Sequence, residues 1–308
     1  MISASAPGKI ILVGEHAVVY GRPAVAVPVT QVSATARIEP AAAGDGLTLI
    51  ATDLDRRLTL AHAPPDDPLA VVARETLGHL GHPPPDAVLT ISSTIPIASG
   101  MGSGAAVSTA IARALAGFFG QRLPTAEISR LVYEAEKIHH GTPSGIDNTV
   151  VVYGHPVYFV REKVMETFSV GRAFPFLIAD SGAPSPTREV VGAVRQGWEE
   201  APERYEALFD QVGEVVDSVR QAMEAGEIDT VGTLMTQNHK LLKEMGVSSP
   251  VLDRLVKAAM EAGALGAKLS GAGRGGNVIA LVGPGTSRAV ENALVAAGAR
   301  TVIPTILE

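Results

Sequence analysis

The chain has 308 residues, no cysteine and a formal net charge of −7 at pH 7. The missing cysteines exclude disulfides, thiolate zinc sites and cysteine nucleophiles. The net negative charge argues against a nucleic-acid partner, which would require many Lys and Arg residues to neutralise phosphates. No apolar run approaches the length of a membrane span. We therefore expect a globular, cytoplasmic protein with no membrane partner, in which any anion site is local.

Short strands separated by turns are expected from Ile2 to about Leu60. The runs IILV, AVAVPV, VSATARIE and LTLIA have the apolar or alternating pattern of an antiparallel sheet. Residues 68–80 then have helical spacing, the GHPPPD segment breaks that spacing, and AVLTISS alternates like a further strand.

The middle of the chain predicts two helices and a hairpin. The small-residue run AAVSTAIARALAGFF predicts a helix that packs closely on its neighbours, and a second helix covers about 126–140. After it, VVVYG and PVYFV predict a hairpin around Gly154–His155, because both runs are rich in β-branched or aromatic residues.

The pattern changes near residue 170. A strand is predicted at 174–180, and residues 187–262 are nearly all helical. The last stretch predicts a strand, a glycine-rich loop, a strand, a helix at 286–297 and a final strand. The change predicts two domains, residues 1–170 and 171–308.

Residues 139–148 read HHGTPSGIDN and place an aspartate after a run of helix-breaking residues. Gly141, Pro143 and Gly145 should end the preceding helix, because glycine lowers helix stability and proline disfavours the helical conformation of the residue before it. Asp147 is therefore expected on a loop. Taken alone, Asp147 could simply cap or close a turn, so a catalytic role requires a partner.

Residues 96–110 read PIASGMGSGAAVSTA and place a glycine-rich loop before a helix. Open backbone amides at a helix N-terminus bind phosphate well, although a tight turn between a strand and a helix has the same pattern. The loop is not a Walker A loop, because no Gly-Lys-Ser/Thr follows. The candidate nucleotide-binding residues are Pro96, Ile97, Ala98, Ser99, Gly100, Met101, Gly102, Ser103, Gly104, Ala105 and Ala106.

Residues 268–281, KLSGAGRGGNVIAL, form another glycine-rich segment between two predicted strands. A β-bulge or a tight hairpin explains the glycines, and so does close approach of the backbone to a nucleotide phosphate or to the first glycine loop. Arg274 in this segment is either a cation for that anion or a solvated side chain.

Residues 5–21, SAPGKIILVGEHAVVYG, supply a candidate cation near the N-terminus. The Pro7-Gly8 turn would project Lys9 from the start of a strand, although an ordinary hairpin with an exposed lysine has the same pattern. A lysine, glycine-rich anion loops and the carboxylates of Glu136 and Asp147 are together the parts that phosphoryl transfer requires.

Four segments, APGKIILVGEHAVVYG, PIASGMGSGAA, EKIHHGTPSGIDN and GAKLSGAGRGG, occur in an order that resembles the GHMP kinases. Within that superfamily, GEHAVVYG together with HGTPSGIDN is most similar to the mevalonate kinase family, and the resemblance covers nearly the whole chain. It implies an α+β GHMP kinase fold. That fold has a ribosomal-protein-S5-like N-terminal α/β domain with a left-handed βαβ unit, and a ferredoxin-like C-terminal domain.

The resemblance also implies a reaction and a role for each motif residue. ATP, with Mg²⁺ as cofactor, would phosphorylate mevalonate at its 5-hydroxyl to give 5-phosphomevalonate and ADP. Lys9 would contact the reacting centre, Asp147 would act as the catalytic base, and Glu136 would coordinate Mg²⁺. Glu15 and His16 would line the substrate pocket together with Lys9 and Asp147. A homodimer is one assembly that the sequence leaves open.

Two positions depart from the family pattern. The family loop usually ends Gly-Leu-Gly-Ser-Ser-Ala, and its second serine donates a hydroxyl to the metal, whereas this chain has Gly104 there. Ser103 is a candidate metal ligand if the loop is rotated, or water takes the vacant position, because Mg²⁺ retains several waters in proteins. Arg274 also stands where the family usually has glycine.

Other functions fit parts of the sequence. A kinase for phosphomevalonate or another alcohol would use the same scaffold, as would a decarboxylase-type relative, which fits Lys9 and GEHAVVYG less well. A non-catalytic sensor would bind a nucleotide or metabolite without turnover. The joint presence of Lys9, Glu136 and Asp147 favours an enzyme, because a binding module needs no base.

Overall fold

The computed structural model describes residues 1–96, 99–140, 145–161 and 163–308, without the side chains of residues 138–140. By its internal contacts the chain divides into two compact units, the first comprising residues 1–9 and 32–154, and the second residues 10–31 and 155–308. Two long strands, β1 (Ile2–Val13) and β2 (Ala24–Pro40), have residues in both units. The division at residue 170 into family domains stays a prediction.

The described residues of the first unit form a mixed sheet and four α-helices. The strands lie in the order β4-β3-β5-β2, with β3 parallel to β5 and the other neighbours antiparallel. The further elements of this unit are β3 (Leu47–Ala51), β4 (Arg56–Thr59), α1 (Pro68–Leu80), β5 (Ala87–Ser93), α2 (Ser103–Phe118), α3 (Thr125–His140) and α4 (Ile146–Tyr153).

An apolar cluster formed by the sheet and its helices lies in the core of the first unit. Ile38, Leu49 and Leu89 on three neighbouring strands belong to it, together with Val72 of α1 and Ile111 of α2. Alternate residues of β5 are buried, because successive side chains of a strand point to opposite faces. Helix α2, whose N-terminus follows the glycine-rich loop, is therefore held in place by packing within this cluster.

The second unit contains an antiparallel four-stranded sheet in the order β11-β8-β10-β9, and a short ribbon in which β6 pairs with the first residues of β2 and with β7. Its elements are β6 (Val157–Phe159), β7 (Glu166–Thr167), β8 (Phe174–Asp180), α5 (Thr187–Glu200), α6 (Pro202–Ala225), α7 (Ile228–Glu244), α8 (Pro250–Glu261), β9 (Ala264–Ser270), β10 (Asn277–Val282), α9 (Ser287–Ala296) and β11 (Thr301–Leu307).

Most of the predicted elements are confirmed. The helix at 68–80 and the strand at 174–180 have the predicted bounds, and the helical region 187–262 consists of α5 to α8. The two predicted strands AVAVPV and VSATARIE are instead one continuous strand, β2. Among the described residues, no helix is both long enough and apolar enough to cross a membrane.

The predictions for Asp147 as a loop residue and for VVVYG, residues 150–154, as a hairpin strand were wrong. The β-branched run VVVY predicted a hairpin strand, but these residues form the C-terminal part of α4. Gly145 starts this helix in the left-handed conformation, with φ of 85°, so the glycine that was expected to hold a loop is a helix N-cap. Burial decides the conformation of the valines, since Val150, Val151 and Val152 are all at most 2% exposed. Asp147 therefore lies on a helix rather than on a loop.

Candidate active site

Lys9 and Asp147 lie together in the first unit, as the motif reading predicted. Lys9 Nζ is 2.8 Å from Asp147 Oδ1. The lysine side chain is 7% exposed and the aspartate side chain 35% exposed, so the carboxylate is reachable by a small molecule while the lysine is enclosed. The pair therefore places a partly exposed carboxylate next to an enclosed cation.

The first turn of α4 fixes the position of Asp147. Asp147 is the second residue of the helix, where a negative charge is favoured by the helix dipole. The next residue, Asn148, donates from Nδ2 to the carbonyl oxygen and Oγ of Ser129 on α3, at 3.1 and 2.8 Å. Thr149 Oγ1 donates to the carbonyl oxygen of Gly145 at 2.8 Å. These bonds leave the carboxylate on a rigid element instead of a flexible turn.

Gly102 makes room for the Lys9 side chain, and Gly8 allows the backbone beside Lys9 to pack closely against the glycine loop. A Cβ on Gly8 would meet Val32 Cγ2 at 3.1 Å and the carbonyl oxygen of Met101 at 3.3 Å, and a Cβ on Gly102 would meet Lys9 Cγ at 2.8 Å. The backbone N–H of Lys9 donates to that Met101 carbonyl at 3.0 Å. The glycine loop therefore holds the lysine through direct backbone and side-chain contact.

The predicted nucleotide loop leads directly into α2. Gly100 and Gly102 have φ of 71° and 70°, the left-handed region that glycine occupies without steric cost. Ser103, Gly104, Ala105 and Ala106 form the first turn of α2, whose leading N–H groups have no partners within the helix. Pro96 and Ser99 precede these glycines, and Ser99 Oγ donates a hydrogen bond to the Pro96 carbonyl oxygen at 2.7 Å. Ile97 and Ala98, also predicted for this loop, lie outside the described residues.

Glu136 on α3 faces this first turn of α2. Its side chain is buried, 5% exposed, and a Cβ on Gly104 would lie 2.8 Å from Glu136 Oε1. The carboxylate thus occupies the space that a side chain at position 104 would need. Gly104 itself is helical and is absent from the positive-φ glycines, so backbone conformation does not explain the glycine.

A cavity of about 220 Å³ adjoins the first turn of α2. It is lined mainly by apolar side chains, with a few polar groups such as Asp53, Ser93 and Ser108. Asp53 Oδ2 accepts a hydrogen bond from the Ser93 backbone at 2.5 Å. Its lining residues are Ala51, Asp53, Leu54, Arg56, Pro68, Leu69, Ile91, Ser93, Ile95, Ser103, Gly104, Val107 and Ser108.

Glu15 and His16 lie in the second unit and have partners there. Glu15 forms a buried ion pair with Lys268 on β9; burial raises the pKa of Glu15, while the Lys268 charge opposes that shift. His16 Nε2 is 2.8 Å from the carbonyl oxygen of Ala272. Burial, the largest cause, lowers the pKa of His16, so the ring is neutral near pH 7 and donates that bond. Their assignment to a substrate pocket stays a prediction.

The third glycine-rich segment packs against the protein's own backbone. A Cβ on Gly273 would lie 2.0 Å from the Val247 carbonyl oxygen, and one on Gly275 would lie 2.2 Å from that of Pro184. Arg274 is exposed, with φ of 57°, and its backbone N–H donates to Val247 at 2.8 Å. Close backbone packing therefore explains these two glycines without a ligand.

Comparison with known proteins identifies the family. Residues 69–155 match the model for the GHMP kinases N terminal domain, and residues 219–300 match the model for the GHMP kinases C terminal region. A mevalonate kinase of Thermococcus sibiricus is 34% identical, with 99% of this chain and 96% of the relative covered. The chain belongs to the GHMP kinases.

Solved GHMP kinases share its fold along the whole chain. The Methanococcus jannaschii mevalonate kinase superposes with a TM-score of 0.87 at 28% identity, covering 99% of this chain and 98% of that one. The L. major mevalonate kinase in complex with R-mevalonate gives a TM-score of 0.86 at 27% identity, covering 99% and 95%. The predicted GHMP kinase fold and the predicted similarity to the mevalonate kinase family are both confirmed.

Sequence reasoning missed two features of this GHMP kinase. Lys268 was read only as part of a glycine-rich motif, although a lysine inside the apolar run ALGAKLS is a signal for a buried charge with a partner. The cavity was missed because Asp53, Leu54 and Arg56 lie just before and at the start of β4, in a stretch whose pattern carries no motif.

Proposed function

We propose that this chain is an ATP-dependent kinase that phosphorylates mevalonate at the 5-hydroxyl, giving 5-phosphomevalonate and ADP for isoprenoid precursor synthesis. The observation that carries the proposal is the 2.8 Å ion pair between Lys9 and Asp147. The relatives named mevalonate kinase, 33–34% identical over 99% of this chain, supply the acceptor.

Asp147 is the base in this proposal. One of its oxygens is held by Lys9, and the partly exposed carboxylate can accept the proton of the acceptor hydroxyl as the oxygen–phosphorus bond forms. The bond between the γ-phosphorus and the ADP oxygen breaks in the same step. Lys9 stabilises the negative charge that develops during transfer. The protein thus supplies positioning and electrostatic stabilisation, which are its main tasks in phosphoryl transfer.

ATP is assigned to the glycine loop and the adjoining cavity. The leading N–H groups of α2 suit the phosphates, and the mainly apolar cavity of about 220 Å³ beside them is assigned to the nucleobase. Ser103 and Gly104 belong both to the first turn of α2 and to the cavity lining. One continuous surface of the first unit can therefore hold both ends of ATP.

The residues of the first unit fit Mg²⁺ through Glu136. A buried carboxylate beside the phosphate-binding turn is the ligand type that Mg²⁺ prefers, and Mg²⁺ is commonly bound by one or two carboxylates together with phosphates and waters. Bound there, Mg²⁺ would neutralise charge on the transferring phosphates. The described residues contain no group of three or more His, Asp or Glu side chains placed to hold a metal ion. Glu136 is therefore assigned as the main protein ligand, with Ser103 as a second candidate.

Glu15 and His16 are assigned to acceptor binding on the resemblance of GEHAVVYG to the family motif.

The cysteine-free sequence suits a reducing compartment, which supports placing the reaction in the cytoplasm.

An acceptor panel tests the proposal. Purified protein with ATP and Mg²⁺ is assayed for ADP release with mevalonate, phosphomevalonate, homoserine or galactose. We expect kcat/KM for mevalonate to exceed the others by roughly tenfold or more, because a site built for particular hydroxyls rejects ligands that leave its polar groups unpaired. Equal or greater kcat/KM for phosphomevalonate or galactose would contradict the proposed acceptor. The Asp147→Asn variant supplies the background rate.

A further inference from the structure

The end of β9 and the loop after it contact the stretch 11–16 through three polar interactions within the second unit. Ser270 Oγ donates to the carbonyl oxygen of Ile11 at 2.7 Å. Lys268 forms its ion pair with Glu15, and His16 Nε2 donates to the carbonyl oxygen of Ala272. Residues 268–272 thus contact both ends of this stretch, at Ile11 and at Glu15 and His16.

The turn held in this way is strained. His16 has φ of 63° and ψ of −54°, a conformation that is rare for a residue with a side chain. The N–H of Ala17 donates to the carbonyl oxygen of Glu15 at 2.7 Å, which closes a three-residue γ-turn. A Cβ on Gly14 would lie 2.5 Å from Ala24 Cα. Strain of this kind persists only where the surroundings impose it, and it concentrates at ligand-binding sites.

The ion pair at the centre of this arrangement is fully enclosed. The side chains of Lys268 and Glu15 are 0% and 2% exposed, and Glu15 Oε2 makes no hydrogen bond within the described part of the chain. Removing two charges from water is costly enough that a buried pair contributes little net stability compared with apolar residues of the same size. A role in fixing one conformation explains its presence better than a role in stability does.

We propose that Lys268 is a positioning residue for the acceptor substrate, acting through Glu15 to hold the strained turn 14–16. This inference rests on the proposed function. The features suited to ATP and Mg²⁺, the glycine loop, the cavity and Glu136, all belong to residues 51–136. Residues 14–16 and 268–272 contribute to none of them, so the ligand assigned to the turn is the acceptor.

The first test separates acceptor binding from nucleotide binding. Lys268→Met should raise the KM for the acceptor by about tenfold or more, since small displacements of positioning groups have effects of that size. The dissociation constant for ATP should stay within about threefold. Lys268→Arg keeps the charge and should recover part of the loss. Lys257→Met is the control, because Lys257 is an exposed lysine, 74% exposed, and should leave both constants unchanged.

A double variant separates positioning from stability. Lys268→Met alone leaves the Glu15 charge buried without its partner and should lower the melting temperature. Glu15→Leu combined with Lys268→Met should restore the melting temperature, since apolar replacement of a buried pair is often neutral or stabilising. The acceptor kcat/KM should nevertheless stay about tenfold below wild type.

Two results would overturn the inference: recovery of the acceptor kcat/KM together with stability in the double variant, or equal loss of ATP and acceptor binding in Lys268→Met. A wild-type protein that releases no ADP with mevalonate would instead contradict the proposed function. The two failures are therefore distinguishable.

Discussion

Asp147 has two properties that a general base needs: a fixed position in the first turn of α4 and partial exposure of its carboxylate. Asp147→Asn keeps the shape but removes the proton acceptor, so kcat should fall by roughly 10²–10⁴-fold while ATP binding changes little. Single-turnover assays with ATP and mevalonate measure this directly. Asp66→Asn is the matched control, because Asp66 is exposed and should leave kcat unchanged.

Lys9 and Asp147 form one ion pair, so the two substitutions should not be independent. Lys9→Met should also lower kcat steeply, and the double variant should lose less than the product of the two single losses. A single variant Asp147→Asn that retains more than about a third of the wild-type kcat, with chemistry rate-limiting, would remove Asp147 from the role of base.

Gly104 and Glu136 lead to a prediction about Mg²⁺. A methyl group at position 104 would displace the Glu136 carboxylate, since Cβ and Oε1 would be 2.8 Å apart. Gly104→Ala should therefore raise the Mg²⁺ concentration required for nucleotide binding several-fold. Gly104→Ser causes the same displacement but supplies a hydroxyl ligand. The Mg²⁺ concentration that the serine variant requires for nucleotide binding should therefore be lower than that of the alanine variant. Titration calorimetry of ATP at increasing Mg²⁺ measures both.

Comparison of Gly104→Ala with Glu136→Gln tests whether Gly104 affects Mg²⁺ binding through the Glu136 carboxylate. If the glycine serves only to admit the Glu136 carboxylate, Glu136→Gln should show a raised Mg²⁺ requirement like that of Gly104→Ala. Equal Mg²⁺ requirements for wild type and the alanine variant would mean that Glu136 moves freely and that position 104 has no part in metal binding. Gly78→Ala is a suitable control, because nothing lies within 4 Å of a Cβ there.

At the scale of single residues, the sequence predicted the pairing of residues that belong to known motifs. It did not predict a pairing between residues that only the fold brings together. Lys9 and Asp147 could be paired in advance because phosphoryl transfer requires both, and the structure places them 2.8 Å apart. The partnership of Lys268 and Glu15 could not be predicted. The two residues are 253 positions apart, and only the fold brings β9 to the turn.

At the scale of elements, the loop before α2 seats Lys9. Gly100 and Gly102 have nearly the same φ, 71° and 70°, but only a Cβ on Gly102 would strike Lys9. Gly100→Ala and Gly102→Ala should therefore introduce similar backbone strain, of about 1 kcal/mol or somewhat more. Gly102→Ala should in addition displace Lys9 and lower kcat by about tenfold or more relative to Gly100→Ala. Equal kcat values in the two variants would show that the loop does not position the lysine.

Elements with clear periodicity were predicted well, and α4 was not. Helix α1 begins with Asp67 as its N-cap, whose Oδ1 accepts from Leu69 N and Ala70 N at 3.1 Å, and ends at Gly81 in the left-handed conformation. Both are local signals that a sequence displays. In α4 the β-branched valines favour a strand locally, and burial among neighbouring helices overrides that preference.

At the scale of the whole molecule, buried histidine makes stability depend on pH. Burial, and next the charge of Lys268, lower the pKa of His239 to about 4, while Asp253 opposes the shift and Lys243 adds to it. The unfolded chain binds this proton near pH 6.5, so the stabilisation is complete above that value and is lost as pH falls toward 4. The loss between pH 7 and about 4.5 should reach about 2 kcal/mol.

Urea denaturation at the two pH values measures this loss in the free energy of unfolding. His239→Gln should remove about 2 kcal/mol of it, whereas His62→Gln should not, because His62 is exposed. An unchanged pH dependence in His239→Gln would show that His239 is not the group that titrates.

The fold as a whole was predictable through the family resemblance and not through local pattern. Motif order led to the GHMP kinase fold, which the solved mevalonate kinases confirm. No local pattern shows that β1 and β2 have residues in both units, because contacts between residues distant in sequence decide that division.

Phosphorus-31 NMR of the product tests the central claim, phosphoryl transfer from ATP to the 5-hydroxyl of mevalonate by Lys9 and Asp147. The 5-hydroxyl is on a CH₂ carbon, whereas the 3-hydroxyl is on a carbon without hydrogen. The proton-coupled spectrum of the wild-type product should show a phosphomonoester split into a triplet by the two C5 protons, and Asp147→Asn should form it at the strongly reduced rate given above. An unsplit resonance, indicating a phosphate on the 3-hydroxyl, or a wild-type reaction without phosphomonoester, would contradict the claim.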